Sequence, residues 1–356
     1  MDSRLEIDSD SPGVPRPSEY QVAPAGSLPS LHQPTPRHDL KDVSLVDLSG
    51  ELLSRLMSGE AYGGTAELVL AEQLGQLLAS KLDVHLNRFS AQRHHDLLSP
   101  IFGQLKPTDL KGATVVDLGC GALNPFAFSF LLLMLGAERA YAIDLEPIQN
   151  IEIAARALAT TAGWLLLEPR RILGRLASIA AEDVLANLKG FQLPLLASGD
   201  PAGIAPGRLV HRIESVHDLS LRNDEADFVF SVSLLEHLDN VEDALESLRR
   251  ITKPGGHGVH VVDFVDHRIY SGQAISPFEF LKVRSTESLV HGSNRIRCDE
   301  FCALFEQHGF IVERVERWAH LPPPTENEQA QFVEPYRSMR RENLMTTGAR
   351  IFVRRV

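Results

Sequence analysis

Short apolar segments alternate with segments of helical periodicity along most of the chain. The first, Thr114 to Leu118, is a β-branched run typical of a strand that is buried on both faces. It ends at Gly119-Cys120-Gly121, a turn whose glycines tolerate unusual dihedral angles and let a ligand approach the backbone. An apolar run from Phe126 to Leu135 predicts a helix, and Ala140 to Ile143 predicts a second strand that leads into Asp144. This order of strand, glycine turn, helix, strand and acid is typical of a nucleotide-binding βαβ half.

The alternation continues to the end of the chain. Val241 to Ile251 is an amphipathic helix, and Lys253 to Gly256 (KPGG) is a turn that ends it. A second helix, Asp299 to His308, ends at Gly309. The pattern therefore predicts an α/β fold built on a Rossmann-like, doubly wound sheet. The other predicted strands are Leu209–Ile213, Ala226–Ser231, Gly258–Val265, Phe310–Trp318 and Ala349–Val356.

Composition divides the chain into a tail, a helical cap and the α/β domain. Residues 1–40 are rich in Pro, Ser and Asp and have no hydrophobic period, which predicts disorder. Residues 41–108 carry leucines at helical spacing and predict an N-terminal helical cap. The α/β domain occupies residues 109–356 and contains a helical insertion at about 150–207, longer than a crossover helix requires. The insertion either contributes to substrate specificity or adds a packing layer.

Charge and cysteine content narrow the possible classes of function. The 356 residues carry a formal net charge of −12, whereas general binding to nucleic acid requires a basic face. Three cysteines are too few for a disulfide framework and fit a reducing compartment. No signal-peptide pattern is present, and the longest apolar stretch is too short to cross a bilayer. We therefore expect a cytoplasmic protein that binds neither nucleic acid nor membrane.

The first glycine turn does not fit a dinucleotide. The fingerprint G-x-G-x-x-G requires glycine at position 124, where the chain has Asn124, and no Walker lysine follows. Asp117 lies inside the motif instead, and a carboxylate at that point suits a ligand with positive charge. Asp144 is placed to accept both hydroxyls of a ribose. On these residues the stretch resembles the class I S-adenosylmethionine-dependent methyltransferases.

A second segment carries the same resemblance. Ala226 to Leu238 and Lys253 to Gly256 resemble the family's D-x-V-x-S-x-x-x-L-E-H-L … L-K-P-G-G pattern, with Thr252 where leucine is usual. The segments D-H-R, S-P-F-E-F-L and N-R-I-R further resemble a bacterial, methyltransferase type 11-like subgroup, which is often found with glycan or natural-product biosynthesis. One departure is Leu123, which stands where the family has a third glycine. The resemblance also implies an antiparallel last strand.

The resemblance implies S-adenosylmethionine as the cofactor and assigns residues to it. In the family, an acidic or polar group after the third strand hydrogen-bonds to the adenine of the donor. The candidates for this role here are Glu214, Ser215, His217 and Asp218. We expect the two serines after the fourth strand to approach the methionine end of the donor. The residues expected at the donor are Asp117, Gly119, Cys120, Gly121, Asp144, Leu145, Glu214, Ser215, Ser231 and Ser233.

Methyl transfer requires alignment of the partners and, for a hydroxyl or ammonium acceptor, removal of a proton. We predict His267, beside Asp266, as the base, because a carboxylate-oriented histidine titrates near neutral pH. His237 is a further catalytic candidate, and the alternative is that both histidines only shape the pocket. His260 and Asp263 add ligand types, but strand alternation splits this group between two faces, so we predict no metal site.

The favoured function is S-adenosylmethionine-dependent methylation of a small molecule or of a glycan or natural-product precursor, on oxygen or nitrogen. Arg268, Arg295 and Arg297 would suit an acidic acceptor, although a solvated surface explains them equally well. One alternative is a non-catalytic donor-binding scaffold or regulatory subunit of a biosynthetic complex. Another is an NAD-dependent oxidoreductase, against which Asn124 argues.

Overall fold

The structure, a computed structural model, describes residues 110–167, 183, 186–319 and 321–356. The predicted disordered tail and the predicted helical cap, residues 1–108, lie outside the described residues. Residues 168–182 and 184–185 of the predicted insertion also lie outside them.

Seven strands of the described chain form one sheet. They are β1 (Thr114–Leu118), β2 (Arg139–Asp144), β3 (Leu209–Ile213), β4 (Ala226–Val232), β5 (Thr252–Asp263), β6 (Phe310–Trp318) and β7 (Gly348–Arg355). Their order is β3-β2-β1-β4-β5-β7-β6. The pairs from β3 to β5 are parallel, and β7 is antiparallel to both β5 and β6. The predicted Rossmann-like sheet with an antiparallel last strand is therefore confirmed.

The described helices lie on the connections between these strands. The α-helices are α1 (Ala127–Met134), α2 (Ile151–Leu167), α3 (Leu193–Ser198), α4 (Val241–Ile251), α5 (Cys298–Gln307), α6 (Glu326–Gln329) and α7 (Arg341–Met345). Short 3-10 helices span Pro201–Gly203, Leu235–His237, His267–Ser271 and Glu279–Lys282. Two of these, Leu235–His237 and His267–Ser271, follow β4 and β5 directly.

Successive side chains of the central strands enter different cores on the two faces of the sheet. Val115 and Phe228 join a cluster that contains the buried side of α1 and α2. Val116 and Val229, one position further along, join a second cluster with α4 and α5. Helices thus cover both faces, which explains why neighbouring positions such as Val115 and Val116, or Phe228 and Val229, are both apolar.

The fifth strand departs from its predicted bounds, Gly258 to Val265. It begins at Thr252, which pairs with Ala226, and the next paired position is His257 with Phe228. The intervening KPGG residues bulge from the ladder, with Gly255 at a φ of +76°. The strand ends at Asp263, whose carboxylate accepts a hydrogen bond from the Val265 N–H (3.2 Å) and turns the chain. The KPGG segment, which was predicted as a turn between the helix and the strand, is therefore a bulge within a longer strand.

The described part of the insertion belongs to the core. Leu158 and Ala162 of α2 and Leu196 of α3 are fully buried in the same cluster as α1. These described residues form a packing layer, and a contribution of the insertion to substrate specificity stays a prediction. Within the described residues, no helix combines the length and apolarity needed to cross a membrane.

Candidate functional site

Two glycines shape the turn between β1 and α1. Gly119 (φ +71°) and Gly121 (φ +80°) adopt left-handed conformations that residues with a Cβ rarely adopt. A Cβ added to Gly119 would lie 3.2 Å from the Cβ of Leu234, whereas one added to Gly121 would have no heavy atom of the described residues within 4 Å. Gly119 thus allows the turn to pack against the segment after β4. Gly121 borders open space that a ligand can enter.

Asp144 ends β2 beside this turn. Its Oδ2 accepts a hydrogen bond from the Gly121 N–H (2.7 Å), and its Oδ1 accepts one from the Glu146 N–H (3.0 Å). An ionised carboxylate has about four lone-pair sites, so each oxygen can accept one more hydrogen bond, as from a ribose hydroxyl. Leu145 (71% exposed) and Ile213 (57% exposed) lie at the ends of adjacent strands and offer an apolar surface to a flat ring.

Asp117 lies inside the protein at the end of β1. It is 6% exposed, and its Oδ2 is 3.4 Å from the Ser129 hydroxyl, which donates to it. Burial raises the pKa of Asp117 to about 7, opposed by the Ser129 hydrogen bond and assisted by the charge of Asp144. A buried carboxylate with this little compensation favours a cationic partner. Burial also raises the pKa of Cys120, so its thiol stays protonated and is not a nucleophile.

Glu214 and Ser215 follow β3 and take part in local contacts. The Glu214 carboxylate accepts a hydrogen bond from the Ser220 N–H (2.9 Å). His217 Nε2 donates to the carbonyl of Asn240 (2.8 Å), so its Nδ1 accepts from the Ser215 hydroxyl at 3.1 Å. Neither side chain is directed into the site by these contacts. Their assignment to the adenine stays a prediction.

The two serines at the end of β4 have different environments. Ser231 is fully buried, and its hydroxyl contacts Nδ1 of His260 (2.8 Å) inside the sheet. Burial lowers the pKa of His260 to about 3, so this ring is neutral. The Ser231 side chain faces the core, and the expectation that Ser231 approaches the donor stays a prediction. Ser233 is exposed and adopts a left-handed conformation (φ 51°) that turns the chain over the sheet edge.

Two histidines, each in a 3-10 helix that follows a strand, meet at this edge. The rings of His237 and His267 lie 4.7 Å apart in an edge-to-face arrangement. His237 Nδ1 donates to the carbonyl of Gly292 (2.7 Å). His267 Nε2 lies 3.6 Å from Oδ2 of Asp263, which also accepts a hydrogen bond from the Tyr270 hydroxyl (2.6 Å). Burial lowers the pKa of His267, with the Asp263 charge opposing, so the ring is neutral at neutral pH.

The carboxylate next to His267 is therefore Asp263 and not the predicted Asp266. Asp266 forms a two-point ion pair with Arg268, with Nε to Oδ1 at 2.9 Å and Nη2 to Oδ2 at 2.6 Å. Although burial opposes it, this pairing holds the pKa of Asp266 below its ordinary value. Asp266 also caps the 3-10 helix that starts at His267 by accepting from the Arg268 N–H. Its role is to fix the loop that carries His267.

Glu236 lies directly before His237 and is almost fully buried, at 1% exposed. Its Oε1 accepts a hydrogen bond from the Asp263 N–H (3.2 Å). Burial and then the neighbouring Asp263 charge raise the pKa of Glu236 to about 8. Together, Glu236, His237 and His267 each present a ligand-type atom within 4.8 Å of the others. We call these three residues the histidine cluster.

The N-R-I-R segment, residues 294–297, forms hydrogen bonds with the backbone of the loops that carry the two histidines. The Asn294 side chain donates to the carbonyls of Leu235 (2.7 Å) and Leu238 (3.1 Å), which fixes the turn that carries His237. The buried Arg297 guanidinium donates to the carbonyl of Phe264, just after β5. Its Nη2 also donates to the carbonyls of Leu344 and Thr346. Arg268, Arg295 and Arg297 all have internal partners, and their contact with an acidic acceptor stays a prediction.

The geometry thus places a glycine turn with two acids next to a histidine cluster at the carboxyl edge of a parallel sheet, where ligands bind in such folds. A family described as "Methyltransferase domain" matches residues 86–315 of the chain. The chain belongs to this family. The resemblance to methyltransferases is confirmed, and with it S-adenosylmethionine, the donor that these methyltransferases use.

Solved structures similar to this methyltransferase include two bacterial enzymes. One, an S-adenosylmethionine-dependent methyltransferase from Mesorhizobium loti, is 19% identical, with 75% of this chain and 98% of that chain covered and a TM-score of 0.40. The other is the geranyl diphosphate C-methyltransferase from Streptomyces coelicolor A3(2), which is 13% identical, with 85% and 88% covered and a TM-score of 0.41. A comparison with curated proteins found no match.

Several residues of this methyltransferase site were missed by sequence reasoning. Glu236 was part of a recognised motif but was assigned no role, and Asp263 and Tyr270 were not connected to His267. The order of β4 and β5 provides the available signal, because neighbouring parallel strands bring the residues after their ends together. Glu236-His237 after one strand and His267 after the next would have predicted the cluster.

Proposed function

We propose that this methyltransferase transfers a methyl group to a small-molecule or glycan-type acceptor that binds at the histidine cluster. The observation that supports this proposal most directly is the contact between the two halves of the edge. Leu234, which lies against Gly119 of the glycine turn, is two residues before Glu236 and three before His237. A donor held at the turn and an acceptor held at the cluster would therefore be neighbours.

The residues at the turn fit S-adenosylmethionine. Asp144 has lone pairs free for two hydroxyls, and the open space beside Gly121 admits a ligand close to the backbone. The buried Asp117 carboxylate suits a ligand with positive charge, and exposed Leu145 suits the flat face of a base. When bound, S-adenosylmethionine supplies an electrophilic methyl group on its sulfonium sulfur. The chain's own contribution is then to orient the donor and exclude water.

At the cluster, His267 is suited to receive a proton. Its ring is neutral and half-buried, and Asp263, 3.6 Å from Nε2, stabilises the protonated form. Tyr270 donates to the same Asp263 oxygen, which fixes the carboxylate in place. His267 as the base for a hydroxyl or ammonium acceptor stays our prediction, with Asp263 in the orienting role first assigned to Asp266.

The test is transfer of a labelled methyl group to a panel of hydroxyl- and amine-bearing small molecules and glycan precursors. Asp144→Ala removes a carboxylate that would bind two hydroxyls, and at 1.5–3 kcal/mol for each charged hydrogen bond we expect transfer at limiting donor to fall at least ~100-fold. Glu138→Ala is the matched control, because Glu138 is an exposed acid just before the opposite end of the same strand.

Equal losses in Asp144→Ala and Glu138→Ala would contradict the assignment of the donor to this edge. Tight donor binding without transfer to any acceptor in the panel would favour the non-catalytic scaffold instead.

A further inference from the structure

The histidine cluster has the composition of a metal site. Its three residues offer two imidazole nitrogens and one carboxylate oxygen, all within 4.8 Å of one another. We propose that Glu236, His237 and His267 together bind one divalent transition-metal ion. Metal binding itself follows from these residues alone, whereas its consequence for the acceptor rests on the proposed methyl transfer.

The His237 imidazole is oriented by another group, as metal-binding histidines usually are. His237 donates from Nδ1 to the carbonyl of Gly292 at 2.7 Å. This bond fixes the tautomer in which Nε2 carries a lone pair available to a metal. The His267 ring lies beside the Asp263 carboxylate, which is itself held by the Tyr270 hydroxyl. The carbonyl behind His237 is the expected support of a metal ligand. His267 Nε2 is buried and has no hydrogen-bond partner among the described residues.

Glu236 gives the independent indication of a cation. The side chain is 1% exposed, and its Oε2 has no hydrogen-bond partner among the described residues. A buried polar atom without a partner is rare in folded proteins and is costly, since removal from water is not compensated. A cation between Glu236 and the two imidazoles would give this oxygen a partner. It would also offset the proximity of Glu236 to Asp263.

The ligand types select the class of metal. Two imidazoles with one carboxylate are typical of first-row transition metals such as Zn²⁺, Fe²⁺ and Co²⁺, whereas Mg²⁺ and Ca²⁺ prefer all-oxygen sites. Three protein ligands leave coordination positions open, which distinguishes a reactive site from a structural zinc site with four. His237 is exposed and His267 is partly exposed, so the open positions face the region where we place the acceptor.

The metal would define the acceptor class. A cation at the cluster would bind a hydroxyl oxygen of the acceptor and lower the pKa of that hydroxyl, whose proton is then lost to solvent water. The acceptor would therefore be an alcohol or phenol rather than an amine. His267 serves as a ligand in this arrangement, so its role as a base is excluded while the metal is bound.

Direct metal binding tests the proposal without any need for activity. The full-length chain, stripped with a chelator, is titrated with Co²⁺, with visible absorption and calorimetry as readouts. We expect one Co²⁺ per chain, and affinities at least roughly 100-fold weaker in His237→Ala and His267→Ala, since even outer partners of a metal ligand contribute 10–100-fold. His257→Ala is the control, because His257 also lies near a carboxylate, 3.5 Å from Glu313, but belongs to no such group.

Glu236→Gln tests the third ligand with a side chain of nearly the same volume, so that the variant should still fold. Circular dichroism checks that each protein is folded. Unchanged Co²⁺ affinity in all three cluster variants, or no stoichiometric binding to the wild type, would overturn the proposal. Binding of S-adenosylhomocysteine is measured in parallel. Donor binding without Co²⁺ binding would contradict only the metal site. Co²⁺ binding without donor binding would contradict only the proposed function.

Discussion

The histidine cluster lies at the same sheet edge as the donor turn, our name for the glycine turn with Asp117 and Asp144 at which we propose that the donor binds. The two are built differently. The donor turn is local in sequence: Asp117, Gly119, Gly121 and Asp144 fall within one βαβ unit, and its key contact joins Gly121 to Asp144. The histidine cluster depends on partners that are distant in sequence. His237 bonds to the carbonyl of residue 292, which is 55 positions away.

This difference separates what the two halves can do. A local site formed by backbone conformation and two acids recognises one ligand, and the same short motif can serve many proteins. A site assembled from distant loops can change its acceptor without altering the donor turn. We therefore expect disruption of the loops to affect the cluster and leave donor binding intact, and changes at the turn to have the converse effect.

The largest effect should come from Arg297→Leu. The buried Arg297 donates to three carbonyls, of Phe264, Leu344 and Thr346, and removal of the guanidinium leaves them without that partner. We expect a loss of roughly 3–5 kcal/mol in the free energy of unfolding, as for other broken buried charged contacts. The measurement is denaturant unfolding.

Arg340→Leu is the control, because the exposed Arg340 pairs with Asp299 at the surface and should change stability by at most ~1 kcal/mol. If the Arg297 variant folds, it should still bind S-adenosylhomocysteine. Loss of donor binding in a folded Arg297→Leu protein would contradict the independence of the donor turn from the histidine cluster.

Asp117→Asn should change the pH dependence on the donor side. The folded pKa of Asp117 is about 7 and its ordinary value is 3.8, so between these values the folded state holds a proton that the unfolded state has lost. Stability contributed by this group therefore falls as pH rises from about 4 to 7, by up to about 4 kcal/mol. In Asp117→Asn this loss should be absent.

Donor binding should show the opposite trend, because a positively charged ligand prefers the ionised carboxylate. Affinity for S-adenosylmethionine, which carries the sulfonium charge, should rise from pH 6 to 8 in the wild type and stay flat in Asp117→Asn, as calorimetry would show. A variant that retained the wild-type pH profile in both measurements would remove Asp117 from the donor site.

The smallest effect should come from two glycine variants that separate the loss of a left-handed conformation from the loss of space for the donor. Gly121 (φ +80°) and Gly112 (φ +75°) are both left-handed, and a Cβ added to either would meet no heavy atom of the described residues within 4 Å. Gly121→Ala and Gly112→Ala should each cost about 1–2 kcal/mol of stability. Only Gly121→Ala should weaken donor binding, by about tenfold, because its methyl group enters the space we assign to the ligand. Equal affinities in the two variants would place the ligand elsewhere.

The sequence predicted the backbone structure of the donor turn well because the information that specifies it is short-range. A β-branched run, two glycines and an acid within about thirty residues specify the strands, the turn and the position of Asp144, and β1 begins and ends at the predicted residues. The same reasoning did not show that the Ser231 side chain faces His260 of β5, because strand alternation alone does not identify the neighbouring side chain.

The histidine cluster was only half predicted. His237 and His267 were singled out, but the carboxylate beside His267 was expected at Asp266, its near neighbour in sequence. The structure instead shows Asp263 there, because Arg268 engages Asp266 in a two-point ion pair. Which of several nearby charges pair is decided by loop conformation, and loop conformation is not encoded in periodicity. Glu236 was missed for the related reason that its burial depends on packing by distant segments.

The most direct test of the central claim is calorimetric titration of the wild-type protein with S-adenosylhomocysteine, beside Asp144→Ala. The account predicts one saturable site per chain in the wild type and binding that is lost in the variant. No binding to the wild type, or equal binding to both proteins, would contradict a donor site at the edge formed by the glycine turn and Asp144.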